Sequence, residues 1–225
     1  MATPITHIVL TEKVFDKFFG NGTNPPSLCE LLPTLKLRQT RRRTRDFFVG
    51  TLFPDIRYLK VIKRTETHFD GLSINDLQNE ESFFAGLKFH SILDNVRDKF
   101  ITENDVYSLC PESQHTKPAL KVLEGELLYD HIKDWNVYIN YLDEILPVEK
   151  KYGIAERDLK KWHSVLQEYF QRKPDPDSVI KFTLGINYPK EVADEINKII
   201  LVIRKNKKVI EIIEKLYNDF DSLII

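Results

Sequence analysis

His90 and Asp94 stand four residues apart on a strongly periodic stretch, so their side chains are neighbours on one helical face. That face continues through Phe83, Gly86, Leu87 and Arg97, which makes it the inward, apolar side with ionisable groups set into it. A carboxylate there is costly unless it is paired or bound to a metal. The plain alternative is a His–Asp hydrogen bond inside a core. Three other residues have the same double character. His68 lies in the polar run Thr67-His68-Phe69-Asp70-Gly71, and His7 falls on the inward face of a first helix with Leu10, Val14 and Phe18. Asp55 follows Pro54 directly after an apolar segment. Singly they read as a loop histidine, a core or capping histidine and a turn aspartate. Together they are a mixed imidazole and carboxylate set within the first hundred residues, and zinc takes such donors at about 2.0–2.2 Å.

Thr6-His7 at a helix start, Phe47-Phe48-Val49-Gly50-Thr51-Leu52-Phe53-Pro54-Asp55, Thr67-His68-Phe69 and His90-Ser91-Ile92-Leu93-Asp94 resemble, in that order, the zinc-dependent phospholipase C family. The resemblance covers roughly residues 4–100. It implies an all-helical fold related to zinc phospholipases C and zinc-dependent single-strand nucleases. It also implies that His68, His90 and Asp94 hold one zinc, and that His7 joins Asp94 in bridging to a neighbouring metal. Asp55 is implied beside the water that the metals acidify, as ligand or general base. The family supplies a further His and a His-x-x-x-Glu pair for a third metal. Here His131 is followed four later by Trp135, and His163 is followed at helical spacing by Leu166 and Gln167. A site of one or two zinc ions is therefore expected, other divalent metals being alternatives, with His131 as an additional ligand. Glu124 shares a helix face with His131 but lies two turns away, about 10 Å. His115 and His163 read as surface or packing residues.

Cations for an anionic substrate come from two places. Arg41, Arg42, Arg43 and Arg45 form either a phosphate-facing patch or a solvated helix start. Arg57, Arg64 and Arg97 lie nearer the proposed ligands. Arg97, one turn beyond Asp94, is expected to line the site or support Asp94, and Arg57 to bind substrate.

The elements that must position these groups are helical. Glycines are few, hairpin signals are sparse, and charged-apolar periodic stretches are long. The expected class is all-α: a compact multi-helix domain of zinc-dependent phospholipase C type over residues 1–150, with a C-terminal helical extension over residues 151–225 packed on it. Helices are expected from Thr6 to Gly20, up to Phe53 before Pro54, from Ser73 or Asn79 to Phe100, from Pro118 to Leu146, from Ala155 to Gln171 and from Pro189 to Asp219. Asn21 to Pro33 and Thr65 to Asp76 read as irregular. Ile56 to Ile62 reads as an extended piece or a further helical turn, and Pro174-Asp175-Pro176-Asp177 as a break. The apolar stripe Ile196, Ile199, Ile200, Ile203, Val209, Ile213 and Leu216 packs inward or against a partner helix, so a helix-mediated oligomer is one expectation.

Composition removes several function classes. A net charge of -1 gives no whole-molecule grip on nucleic acid or acidic membrane. Cys29 and Cys110 have no metal spacing and suggest reduced thiols, and the opening residues lack a basic stretch followed by an apolar core. No apolar run reaches the roughly 20 residues that span a bilayer. A cytoplasmic protein is expected. No histidine is followed directly by aspartate, and the His-Glu-x-x-His, Walker and dinucleotide-binding patterns are absent. The expected function is metal-dependent hydrolysis of a phosphoester by activated water, with a phospholipid head group as the substrate implied by the resemblance. The alternative is a non-catalytic helical metal-binding or interaction protein.

Overall fold

A computed structural model describes residues 3–19, 40–77 and 80–224. They form an all-α structure with no strand among the described residues. The α-helices are α1 (Pro4–Phe19), α2 (Thr40–Leu52), α3 (Ser82–Glu103), α4 (Thr116–Leu128), α5 (Asn136–Tyr141), α6 (Pro147–Lys150), α7 (Glu156–Phe170), α8 (Pro176–Gly185), α9 (Lys190–Ile203) and α10 (Lys207–Leu223). The Gly20 cap, the Asn21–Pro33 loop and Cys29 lie outside the described residues, as do the side chains of Arg41, Arg42 and Arg43.

Proline and a short polar side chain set the start of α1. Pro4 takes the first helical position, where a missing N–H does no harm, and Thr3 Oγ1 accepts from the Thr6 N–H at 3.3 Å. From Thr3 to Thr11 every residue is buried. The reason is that α1 runs between two apolar clusters. Leu10 and Val14 join α3, α4, α9 and α10 in one, while Ile5, Ile8 and Val9 join α2, α5 and α7 in the other. α3 divides its faces the same way, giving Phe89 and Leu93 to the first and Phe83 and Leu87 to the second. Both clusters draw on residues before and after 150. A polar group on the inner faces of α1 or α3 therefore has little solvent to turn to.

α2 and α3 touch backbone to backbone. A methyl at Gly86 would overlap the Phe47 carbonyl, and one at Gly50 would overlap the Phe83 carbonyl. Only glycine permits that approach at these two points. Thr51 Oγ1 spans the seam, donating to Phe47 O at 3.0 Å and Gly86 O at 3.3 Å.

Several boundaries differ from expectation, each for a local reason. The chain after Pro54 continues as a 3-10 turn, Phe53–Leu59, closed by Lys60 in the left-handed region at φ 63°. The stretch expected as one helix from Pro118 to Leu146 stops at Leu128, because Ile132 is extended and Trp135 folds back to donate from Nε1 to Tyr129 O at 3.1 Å. The expected break at Pro174–Asp177 instead starts α8. Asp175 accepts from the Ser178 N–H at 2.7 Å, and Pro176 occupies the first turn. The last helix is two, divided where Asn206 caps α10 by accepting from the Lys208 N–H at 3.2 Å. α3 begins at Ser82, preceded by a separate 3-10 turn, Ile74–Leu77.

Candidate metal centre

Four segments deliver the five residues singled out from the sequence to one interior point. His7 comes from α1, Asp55 from the 3-10 turn after α2, His68 from the bend after Arg64–Glu66, and His90 with Asp94 from α3. Asp94 is the hub. Its Oδ1 lies 3.5 Å from His7 Nε2, and its Oδ2 lies 3.6 Å from His90 Nε2 and 3.9 Å from His68 Nε2. The His7 and His90 rings stack in parallel with centroids 4.1 Å apart, and His68 meets His90 edge-on at 4.9 Å. Two donor sets overlap here, His7–His90–Asp94 and Asp55–His68–His90, each with its ligand atoms within 4.8 Å of one another. The cluster is enclosed: His90 is 0% exposed, His7 1%, Asp55 2% and Asp94 3%.

Each imidazole is held by its far nitrogen. His90 Nδ1 donates to the Thr51 carbonyl at 2.8 Å, and His7 Nδ1 donates to the Thr3 carbonyl at 2.9 Å. A carbonyl can only accept, so Nδ1 carries the proton, and in the neutral ring Nε2 carries the lone pair. The Thr67 hydroxyl gives its proton to Arg64 O at 3.5 Å and accepts from His68 Nδ1 at 3.0 Å, which fixes the same tautomer. The His68 segment is itself pinned by the Phe69 N–H donating to Ser91 Oγ on α3 at 3.1 Å. Nε2 of all three histidines is buried and finds no hydrogen-bond partner among the described residues.

The electrostatics agree. Burial, then the neighbouring His90, then Arg64 and Arg57 lower the His68 pKa to about 3. Burial and then His7 lower that of His90 to about 4, against an opposing pull from Asp94. Burial alone would raise the Asp94 carboxyl, but His90 and His7 outweigh it and hold it well below the usual carboxylate range. At neutral pH the cluster therefore presents lone pairs of His68 and His90 to an ionised Asp94, acceptors facing an acceptor. Such a set is stabilised by a cation in its midst. The spacing suits one, since four-coordinate zinc with bonds of about 2.0–2.2 Å sets its ligand atoms about 3.3–3.6 Å apart.

Other expected residues are placed elsewhere. His131 is exposed on the surface, its ring stacked on Tyr217 at 3.8 Å, and belongs to neither donor set. The early end of α4 at Leu128 carries it away from the cluster. Arg97 does not line the site. It is 0% exposed, and its guanidinium is committed to Glu124, with Nε donating to Oε2 at 3.1 Å, and to Asp98 and Tyr107. Glu124, answering Arg97, is likewise no ligand. Arg57 does face the cluster, with Nη2 3.5 Å from Asp55 Oδ1 and its guanidinium 4.5 Å from the Tyr58 ring centroid. Arg45 acts as a staple, donating to Tyr141 O at 2.9 Å and Glu144 O at 2.7 Å. His163 is a packing residue with both nitrogens engaged, by Leu142 O at 2.9 Å and Glu149 Oε1 at 2.8 Å.

Sequence reasoning missed the carbonyls of Thr3 and Thr51, which orient two rings; a main-chain acceptor carries no residue signal. It also missed Tyr58, half-buried beside Arg57; desolvation and then the Asp55 carboxylate raise the pKa of its hydroxyl. Among the described residues no helix is long and apolar enough to cross a membrane. No family model, curated protein or solved structure matches the chain.

Proposed function

We propose that this protein is a metal-dependent phosphoester hydrolase, with one or two zinc ions held by His7, His68, His90, Asp94 and Asp55. The observation that carries the reading is the meeting of three Nδ1-anchored imidazoles, their Nε2 atoms inward, around the Asp94 carboxylate. The resemblance of residues 4–100 to the zinc-dependent phospholipase C family supports the same assignment. When bound, a divalent ion in such a site polarises a phosphoryl oxygen and brings the pKa of water toward about 7. The chain's own part is positional and basic. The Thr3 and Thr51 carbonyls and the Thr67 hydroxyl fix the tautomer that places the lone pair of each neutral ring on Nε2. Asp55, steadied by Arg57 at 3.5 Å, receives at Oδ1 the proton of the attacking water. Water exclusion by the two apolar clusters strengthens each of these interactions. A cytoplasmic setting, expected from the cysteine usage, goes with this reading.

The test is metal content after purification without added zinc, together with turnover of bis-(p-nitrophenyl) phosphate. Stoichiometric zinc and turnover that disappears in a folded His90→Ala variant are expected; zinc-independent turnover contradicts the proposal.

The near-complete burial of the cluster favours a second reading, a non-catalytic centre whose metal ties α1, the Asp55 turn, the His68 bend and α3 together. It predicts bound zinc, a large loss of stability on chelation, and no turnover.

A further inference from the structure

The five side chains of the centre are almost closed off from solvent, so an ion or a solute enters only where part of the wall gives way. Four of the five are hard to move. His7 lies in the buried run from Thr3 to Thr11, His90 and Asp94 lie within α3, and Asp55 sits among buried Phe53, Pro54, Ile56 and Leu59. His68 is different. Its side chain is 4% exposed, yet the chain that carries it runs along the surface, with Lys63, Arg64, Thr65, Glu66 and Asp70 exposed. The segment 61–70 is bonded chiefly to itself. The Glu66 N–H donates to Lys63 O, and the Thr67 and His68 N–H groups donate to Arg64 O, at 3.0–3.1 Å. Among the described residues one hydrogen bond joins it to the body of the fold, from the Phe69 N–H to Ser91 Oγ on α3 at 3.1 Å. Its apolar grip is that of Val61, Ile62 and Phe69, each only partly buried. The segment is bracketed by two residues in the left-handed region, Lys60 at φ 63° and Gly71 at φ 69°. Lys60 closes the 3-10 turn Phe53–Leu59, and the next turn begins at Ile74, so neither end lies inside a helix.

We infer that residues 61–70 form a lid that swings about Lys60 and Gly71, draws His68 away from the centre and opens it to metal and solutes. The inference rests on the metal centre of the proposed function and supplies the access that a sealed site needs. A segment with few bonds to the body opens at a lower free energy than the fold as a whole. A lid of this kind admits a reactant and, once shut, keeps water from it. His7, His90, Asp94 and Asp55 stay in place to keep an ion while His68 is withdrawn.

Zinc release from the loaded protein into excess chelator, followed at rising chelator concentration, tests the lid. The rate is expected to level off at a value set by opening, and that value to exceed the rate of global unfolding. Ser91→Ala removes the hydrogen bond that fastens the segment to α3. It is expected to raise the plateau about tenfold and to leave the zinc stoichiometry unchanged. In zinc-free protein the amides of Glu66, Thr67, His68 and Phe69 are expected to exchange with deuterium together, ahead of those in α1 and α3. Release no faster than global unfolding overturns the lid. So does a rate that climbs with chelator without levelling, an unchanged plateau in Ser91→Ala, or exchange of these amides only with those of α3. A protein that takes up no zinc overturns the metal centre and the lid with it. Bound zinc with the expected plateau but no turnover overturns the hydrolase reading alone and leaves the lid standing.

Discussion

His90 Nδ1 donates to the Thr51 carbonyl at 2.8 Å, and the opposite nitrogen of the same ring lies 3.6 Å from Asp94 Oδ2. The first contact decides the chemistry of the second. With the proton held on the α2 side, Nε2 meets the carboxylate as one acceptor meeting another, and a cation between them turns a repulsion into two bonds. The contact exists because α2 and α3 approach at Gly50 and Gly86, which brings a main-chain carbonyl of one helix to a side chain of the other.

Gly86→Ala is therefore expected to harm the centre without touching a ligand. The added methyl meets the Phe47 carbonyl and the Thr51 N–H, so α2 must move away from α3. Overpacking of this kind destabilises by about 1–3 kcal/mol. Zinc affinity is expected to fall roughly 10- to 100-fold as the His90 ring loses its anchor. Urea unfolding and a zinc competition titration measure the two effects. A variant with native stability and native zinc affinity contradicts the coupling.

Asp55→Asn separates ligation from proton transfer. His7, His68, His90 and Asp94 remain to hold metal, so zinc is expected to stay bound. Turnover is expected to drop by about 10²–10⁴-fold with loss of the base. Full activity in the asparagine variant removes Asp55 from the chemistry.

Metal-free protein is expected to lose stability on the acid side. The folded pKa values of about 3 for His68 and about 4 for His90 lie below the free histidine value of 6.5, so both rings are neutral in the fold and gain protons on unfolding. Where the unfolded chain binds more protons, stability rises with pH. The urea midpoint in chelator should thus be flat above about pH 6.5, fall as pH drops through the interval from 6.5 to about 4, and go on falling for His68 to about 3. His90→Asn should shrink the slope. A flat profile across that interval contradicts the neutral, buried rings.

Arg97→Ala should damage the fold and spare the metal site. It leaves the Glu124 carboxylate buried and unanswered, which destabilises by about 3–5 kcal/mol. Replacing both by apolar residues, Arg97→Met with Glu124→Leu, should recover most of that loss, with one zinc stoichiometry throughout. Thermal unfolding and metal analysis of the three proteins decide it.

What the sequence made legible follows the physics of each signal. The pair His90 and Asp94 is local, because helical spacing alone places both on one face, and the placement of Asp55 after Pro54 follows from proline's effect on its neighbour. The meeting of His7 and His68 with that pair is long-range. It was expected from the order of the motifs, and the packing of α1 between two apolar clusters brings it about. His131 was misplaced because nothing in Pro118–Leu146 announces that Trp135 folds back on Tyr129 and ends the helix early. Arg97 was assigned to the site on spacing from Asp94, yet at one turn further along α3 its long side chain reaches Glu124 on α4 instead. α8 was read as a break because Pro174 and Pro176 disguise a capped helix start.

Diffraction from crystals grown with zinc, recorded on both sides of the zinc absorption edge, shows whether His7, His68, His90, Asp94 and Asp55 share a metal. An anomalous peak is expected within about 2.0–2.2 Å of His90 Nε2, with further contacts to Asp94 and to His7 or His68. No anomalous peak at this cluster, with the Nε2 atoms of His7, His68 and His90 donating hydrogen bonds instead, would contradict it.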